Sequence, residues 1–378
     1  MKYTQNSILA LFSLCALIFG AGCEKSEPNP APDGAGAETA DNKQKLVVFT
    51  WEDYIDEEVV AQFTEETGVN VEFEYYDNLI QMKALLRSQP DKYDVVVVDD
   101  YNLAELIDRK LVREIDSAEI PNVKNIDELY LNRDFDPQNQ YSVPYLWGSL
   151  LVAYRTDKIA DPEQSWNLLM DEQYKGKVAL FEDKDDLFTA ALLANGYSAN
   201  TENVEEIRKT GSRLVEAAKS NAPLLTDIDI ATEKLVAGEI WATMCYSGDA
   251  LVLADENENV GCFIPSEGAP LWVDSFAVVR DAHNPQNAMK FIDFMSRGDI
   301  AARNAEYLWT ATPNKVAMDL LDEEFKGDTT IFPPKELMAK CEFYGLPTPR
   351  RERETNQIMK DLIDALRVSV AQNGGSNE

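Results

Sequence analysis

"YDVVVVDD", residues 93–100, decides the fold. Four consecutive valines leave no polar face, so the segment fits a short strand covered on both sides. That is the situation of a strand in a parallel sheet with helices above and below. Valine is stiff at χ1 and favours extended backbone, and the run is too short for an ordinary helix. The flanking sequence agrees. "KLVVFTW" (45–51) reads as another buried strand, and "VNVEFEYY" (69–76) alternates as a strand should. Between them, "DEEVVAQFTEETG" (56–68) places Val59, Val60 and Phe63 on one helical face and stops at Gly68. "LIQMKALLRSQP" (79–90) is helical up to Pro90, and "NLAELIDRKL" (102–111) is the next helix. The order β-α-β-α-β-α implies a parallel sheet with right-handed crossovers.

In such sheets ligands lie beyond the carboxyl ends of the strands. Trp51 ends the first strand and Asp99 closely follows the third, while Tyr54 and Tyr101 lie in the loops or helix starts that follow. Topology alone therefore brings aromatics and acids to one edge.

Downstream, "YSVPYLWGSLLVAYR" (141–155) is long enough to cross into a second domain. That domain holds "GKVALFEDKDDLFTAALLANGYS" (176–198), the amphipathic "NVEEIRKTGSRLVEAAKS" (203–220) and a strand–loop–helix at "EIWATMCYSGDALVLADEN" (239–257). "NVGCFIPSEGAPLWVDSFAVV" (259–279) holds two strands joined by the turn "SEGAP". "NPQNAMKFIDFMS" (284–296) is a helix with Pro285 near its start and Ala288, Phe291, Ile292 and Met295 as its apolar stripe.

Residues 1–22 have the layout of an export signal: one Lys, the apolar run "ILALFSLCALIFG", then small residues before Cys23. Ala21 and Gly22 match a lipoprotein cleavage site, while Gly20 stands where Leu is usual. Cys23 is therefore expected to carry a lipid; the alternative is an ordinary signal with Cys23 incidental. Residues 23–44, rich in Pro, Gly, Ala and charge, offer little to bury and are expected to be a flexible tether. No later segment is long and apolar enough to span a bilayer.

The 378 residues carry a formal net charge of −32, which argues against nucleic acid as a partner and for a field that attracts cations. Cys245, Cys262 and Cys341 are an odd number without metal-like spacing. Three buried thiols are the expectation, with a Cys245–Cys262 disulfide as the alternative. The single histidine, His283, lies in a turn-like helix approach and reads as a surface residue. No nucleophile elbow, phosphate loop, dinucleotide fingerprint or zinc signature accompanies it, so no cofactor, metal or catalytic residue is expected. Asp183 and Asp186 are spaced as a glycosidase pair could be, without other marks of an acid and a base.

What recurs is an aromatic beside an acid at an element end: Trp51, Asp53 and Tyr54; Asp99, Asp100 and Tyr101; Trp272 and Asp274. "FEDKDDLF" and "CYSGD" repeat the pattern. Aromatic faces attract organic cations by roughly 0.5–2 kcal/mol and cover methylenes at about 0.8 kcal/mol per CH₂. Carboxylates take ammonium ends by charge-assisted hydrogen bonds. A flexible aliphatic polyamine needs all three.

"FTWEDYID", "YDVVVV", "YSVPYLWGSL", "ALLANGYS" and "WVDSFAVV", in this order, resemble the spermidine/putrescine-binding proteins of bacterial ABC transporters, from about Lys45 to the C-terminus. The resemblance implies an α/β, two-lobed periplasmic-binding-protein-like fold. Each lobe is a mainly parallel sheet flanked by helices, with the ligand cleft between lobes. It implies a first lobe of residues 45–148 and 273–318 and a second of 149–272 and 319–378. Crossings fall near Gly148–Leu150, near Trp272–Asp274 and after Thr310–Asn314. It further implies a monomeric, non-enzymatic receptor in the periplasm or at the outer face of the cytoplasmic membrane, delivering its ligand to an ABC permease.

The resemblance carries ligand-binding roles onto Trp51, Asp53, Tyr54, Tyr101, Asp183, Asp186, Tyr246, Trp272 and Asp274. Asp99 replaces a small residue of the family and adds a carboxylate, which leaves the preferred amine length open. Thr310 replaces an aromatic, though Trp309 adjoins it, and Tyr344 falls near a family glutamine. Two other readings compete: a receptor of the same fold for another solute such as a sugar, and an exported hydrolase using Asp183 and Asp186.

Overall fold

The computed structural model describes residues 44–374, with side chains to residue 368. The expected export signal, Cys23 and the tether up to residue 43 lie outside the described residues.

β1 (Lys45–Thr50), β2 (Asn70–Tyr75) and β3 (Val95–Asp99) pair in parallel with β1 in the middle. They alternate with α1 (Glu57–Thr67), α2 (Leu79–Ser88) and α3 (Asp100–Asp108). Asp56, Asn78 and Asp99 cap the three helices, each accepting from a backbone N–H of the first turn. α1 ends at Gly68, whose φ of 71° a side chain would resist. Val95 to Val98 are fully buried, as the four-valine run requires.

β4 (Ser142–Arg155) follows, then β5 (Val178–Phe181), α4 (Lys184–Ala194), α5 (Val204–Asn221), β6 (Leu224–Thr226) and α6 (Ile228–Val236). Next come β7 (Ala242–Tyr246), α7 (Ser247–Glu256), β8 (Val260–Phe263), β9 (Pro270–Val278), α8 (Pro285–Met295) and α9 (Gly298–Tyr307). Short helices α10 (Glu323–Gly327) and α11 (Lys335–Met338) lead to β10 (Glu342–Phe343) and the long α12 (Pro349–Gly374).

The strands run in the order β2-β1-β3-β9-β4-β7-β5-β6, with β10 added to β9 and β8 to β4. β5 is parallel to both β6 and β7. β9 runs antiparallel to β3 and β4, because it enters the sheet directly and not through a crossover helix. β4 changes partners midway. Ser142 to Ser149 pair with β9, and Leu150 to Tyr154 pair with β7.

Two large cores result, beside a small cluster of Ala301, Ala302, Ala305, Ala317 and Leu321. One gathers Val95–Val98, Phe276 and Phe291 around β1, β3 and β9, and Ile331 and Phe343 pack into it. The other gathers Leu150–Ala153, Phe181 and Leu192's neighbours Ala191 and Leu193 with Ile358 and Leu362 of α12. α12 lies close against α5: a Cβ on Gly211 would fall 2.5 Å from Ile358 Cδ1. β4 passes from one core to the other, Val143 to Trp147 lying in the first and Leu150 to Ala153 in the second, while β9 pairs with it in the first core beside that crossing.

All three described cysteines are free. Cys245 of β7 and Cys262 of β8 pair with β4 on its two opposite edges, facing Leu151 and Ala153. Two strand spacings, about 9–10 Å, separate them, beyond disulfide reach. The alternative pairing is therefore corrected to free thiols.

Candidate ligand-binding site

β9 alternates its side chains, so Trp272 and Asp274 project to the same side. Trp272 lies over β4, where its register partner is Gly148. A Cβ there would fall 2.4 Å from Trp272 Cζ2 and 2.8 Å from Ser247 Oγ. Only glycine leaves room for the indole at this crossing. Tyr246, the last residue of β7, meets Trp272 edge-on, with centroids 6.4 Å apart and rings at 84°.

Asp274 is buried and pairs in register with Asp99 across β3 and β9. Two carboxylates directly opposite repel. Each is held by neutral donors. The Tyr54 hydroxyl donates to Asp274 Oδ2. Asn102 donates to Asp99 from its backbone N at 2.8 Å and from Nδ2 at 3.0 Å. Burial pushes the Asp274 carboxyl up to about 7; the Tyr54 bond opposes this and Asp99 adds to it. Burial also raises Asp99, against the Asn102 bonds, and Asp183 contributes. Behind it, Asp100 accepts from Tyr101 N at 2.8 Å and is held well above the usual carboxylate range, by burial and then by Asp99.

Asp186, in the first turn of α4, is the counterpart on the second core. It is buried and accepts from the Tyr246 hydroxyl at 2.6 Å and from the Tyr344 hydroxyl. Burial, then Asp183, pushes it up to about 7, against those two bonds. Asp183 caps α4, accepting from Asp185 N at 2.9 Å and Asp186 N at 3.0 Å. Among the described residues no Lys or Arg forms an ion pair with Asp99, Asp183, Asp186 or Asp274. The aromatic lining continues through Trp51, whose ring centroid lies 5.1 Å from Tyr54 and 4.9 Å from Tyr76. Trp272 Nε1 is buried without a protein acceptor. The arrangement offers carboxylates and ring faces to a cation and provides no nucleophile with a neighbouring base.

Residues 58–333 match the family model of the bacterial extracellular solute-binding proteins. The chain belongs to the bacterial extracellular solute-binding proteins. This solute-binding protein is 32% identical over 313 residues to the spermidine/putrescine-binding periplasmic protein of Escherichia coli, covering 82% of this chain and 89% of that one. It is 30% identical over 341 residues to the putrescine/cadaverine-binding protein of Pseudomonas aeruginosa, covering 87% and 96%. Among solved structures it is similar to the spermidine/putrescine ABC transporter substrate-binding protein PotD of Streptococcus pneumoniae. That similarity has a TM-score of 0.79 and 29% identity, over 85% of this chain and 99% of that one. The two-lobed α/β fold and a role in solute binding rather than catalysis follow, so Asp183 and Asp186 belong to a receptor and not to a hydrolase.

In this solute-binding protein, Trp51, Tyr54, Asp99, Asp186, Tyr246, Trp272 and Asp274 gather at the crossing. Asp53 instead stands exposed in a left-handed turn, φ 54°, between β1 and α1. Asp183 is exposed and spends one oxygen on capping α4. The Tyr101 hydroxyl points to Glu352 of α12, at 3.2 Å. Three residues at the site, Tyr145, Tyr76 and Glu352, escaped the sequence reading, and a fourth, Tyr344, entered it only as falling near a family glutamine. Tyr145 donates to the Tyr54 carbonyl at 3.1 Å, and Tyr76 donates to the Val97 carbonyl at 2.8 Å. Tyr344 holds Asp186, and Glu352 holds Tyr101. Tyr145 sits in a strand read as plain extended chain, and Glu352 sits in the charged run "RRERE", which looks like a solvated helix face.

Proposed function

We propose that this chain binds aliphatic polyamines of the putrescine and spermidine kind outside the cytoplasmic membrane and delivers them to an ABC permease. One observation carries the proposal. Asp274 and Asp186 are buried and hydrogen-bonded, among the described residues, to tyrosine hydroxyls; Trp51 packs on Tyr54, which holds Asp274, and Trp272 packs on Tyr246, which holds Asp186. A buried carboxylate without a cation is unfavourable, so a ligand ammonium gains from both. The names of the relatives above agree with this class of ligand.

Ligand contact is assigned to Trp51, Tyr54, Asp99, Asp186, Tyr246, Trp272 and Asp274, with Asp53, Tyr101 and Asp183 at the rim. In this proposal residues 45–148 and 273–318 form one jaw, and 149–272 with the α12 part of the expected 319–378 form the other, since Ile331 and Phe343 pack in the first core and Ile358 and Leu362 in the second. They hinge where β4 changes partners. The protein acts as a monomer held to the membrane through a lipid on Cys23. Loss of fatty-acid labelling in Cys23→Ser tests the anchor.

Calorimetry with putrescine, cadaverine and spermidine tests the ligand class. Saturable binding of one or more amines is expected. Thermal stabilisation by maltose-like sugars, with none by any amine, would overturn the proposal in favour of another solute.

A further inference from the structure

Lys184 is the first residue of α4, next to Asp183 and two positions before Asp186. A cation at a helix N-terminus opposes the helix dipole, by about 0.3–1 kcal/mol. Two carboxylates hold it there. Its Nζ lies 2.9 Å from Glu352 Oε2 and 3.4 Å from Asp185 Oδ1. Glu352 uses its other oxygen to accept from the Tyr101 hydroxyl at 3.2 Å. Tyr101 belongs to α3, which packs in the first core, and Glu352 to α12, which packs in the second. The Lys184 and Glu352 side chains are only 18% and 28% exposed, so solvent screens the pair incompletely.

The site therefore has acidic stations of two kinds. Asp274, with Asp99 directly opposite it, forms one place and Asp186 another; both accept only from neutral donors and have no ion-pair partner among the described residues, and a ligand with two ammonium ends matches these two places. The third station, Glu352 with Asp185 beside Tyr101, already holds an ammonium supplied by the chain itself.

We propose that Lys184 is a resident ammonium that sets the length of amine the cleft accepts, favouring diamines over triamines. This rests on the polyamine assignment above. A triamine that reaches toward Tyr101 brings its third charge against Lys184, or must drive Lys184 off Glu352. A diamine meets neither obstacle. Glu352 is the group through which the selection acts, because it is the acceptor for which Lys184 and a third ligand ammonium compete.

The test is calorimetry on the full chain with putrescine and spermidine. Lys184→Met should raise the affinity for spermidine relative to putrescine by about tenfold. Lys184→Gln, which keeps a polar side chain at the helix start, should shift the ratio the same way. The double variant Lys184→Met, Glu352→Gln should lose the gain, since the vacated acceptor is then neutral. A ratio unchanged in both Lys184 variants, with the parent still binding amines, overturns the proposal and leaves the polyamine assignment standing. A parent that binds neither amine overturns both.

Discussion

Tyr54 and Asp274 lie 220 positions apart, and the Tyr54 hydroxyl donates directly to the Asp274 carboxylate. The bond joins the loop after β1 to β9, which pairs with β4 beside its passage between the two cores. It keeps a buried acid hydrogen-bonded without neutralising it. Asp274→Ala is expected to weaken polyamine binding by roughly 2–5 kcal/mol, because a ligand ammonium would be buried without its partner. Tyr54→Phe should weaken it by about 1–3 kcal/mol, the scale of one lost hydrogen bond to a buried acceptor. Calorimetry checks both, and an Asp274→Ala protein that binds as tightly as the parent removes Asp274 from the site.

The two principal acids make binding depend on pH. Asp186 and Asp274 are each pushed up to about 7 by burial, from an ordinary aspartate value of about 4. Between those values the folded chain holds protons that the unfolded chain has released. Through these two groups stability falls as pH rises from about 4 to about 7, and is level above. A ligand ammonium favours the ionised form. Binding near neutral pH should therefore release protons, and affinity should drop as pH falls below about 7. Calorimetry in buffers of different ionisation enthalpy measures the release. Melting curves of the unliganded protein should lose part of their pH slope in Asp186→Asn. Proton uptake on binding, or an affinity flat from pH 8 to pH 5, contradicts the account.

Gly148 matters for what lies on it. Gly148→Ala sets a methyl 2.4 Å from Trp272 Cζ2, so the indole must move or the strand must shift. Overpacking of this kind costs about 1–3 kcal/mol of stability. Because the displaced ring is part of the proposed cleft, amine affinity should fall and indole emission should change in the folded variant. Unaltered affinity would show that the ring does not cover the ligand.

The free thiols should be sluggish. Burial raises the Cys245 thiol well above its ordinary value and pushes Cys262 up to about 11. The reactive thiolate is scarce at both. A thiol reagent at pH 8 should label them slowly in the folded protein and rapidly after denaturation. Fast labelling of Cys245 in the native state would contradict its burial.

Much of the fold was legible because its signals are local. The valines of β3, the alternation of β2, the Gly68 stop of α1 and the Pro285 start of α8 each follow from a few neighbouring residues. The length of β4 was legible too; its local residues do not say which neighbours it takes, and the change from β9 to β7 falls between Ser149 and Leu150, beside the crossing that the resemblance implied near Gly148–Leu150. At the site, Trp272 and Asp274 stood out as an aromatic and an acid in a buried strand. Asp53 carried the same signature, yet a left-handed turn leaves it exposed. Tyr145 and Glu352 carried no signature, because each acts on a partner more than ninety positions away.

The sequence by itself determined the alternation of elements, the acidic character of the chain and the strand ends where aromatics meet acids. Periodicity, capping and composition act over a handful of residues and need no partner. Tertiary structure alone decided which acids are buried without a cation and which are spent elsewhere. Asp186 keeps its charge problem because two tyrosines from distant segments enclose it, while Asp183 caps a helix in the open. Desolvation is a property of everything packed around a group, so it is fixed only when β4 carries the chain from one core to the other and distant segments close around the site.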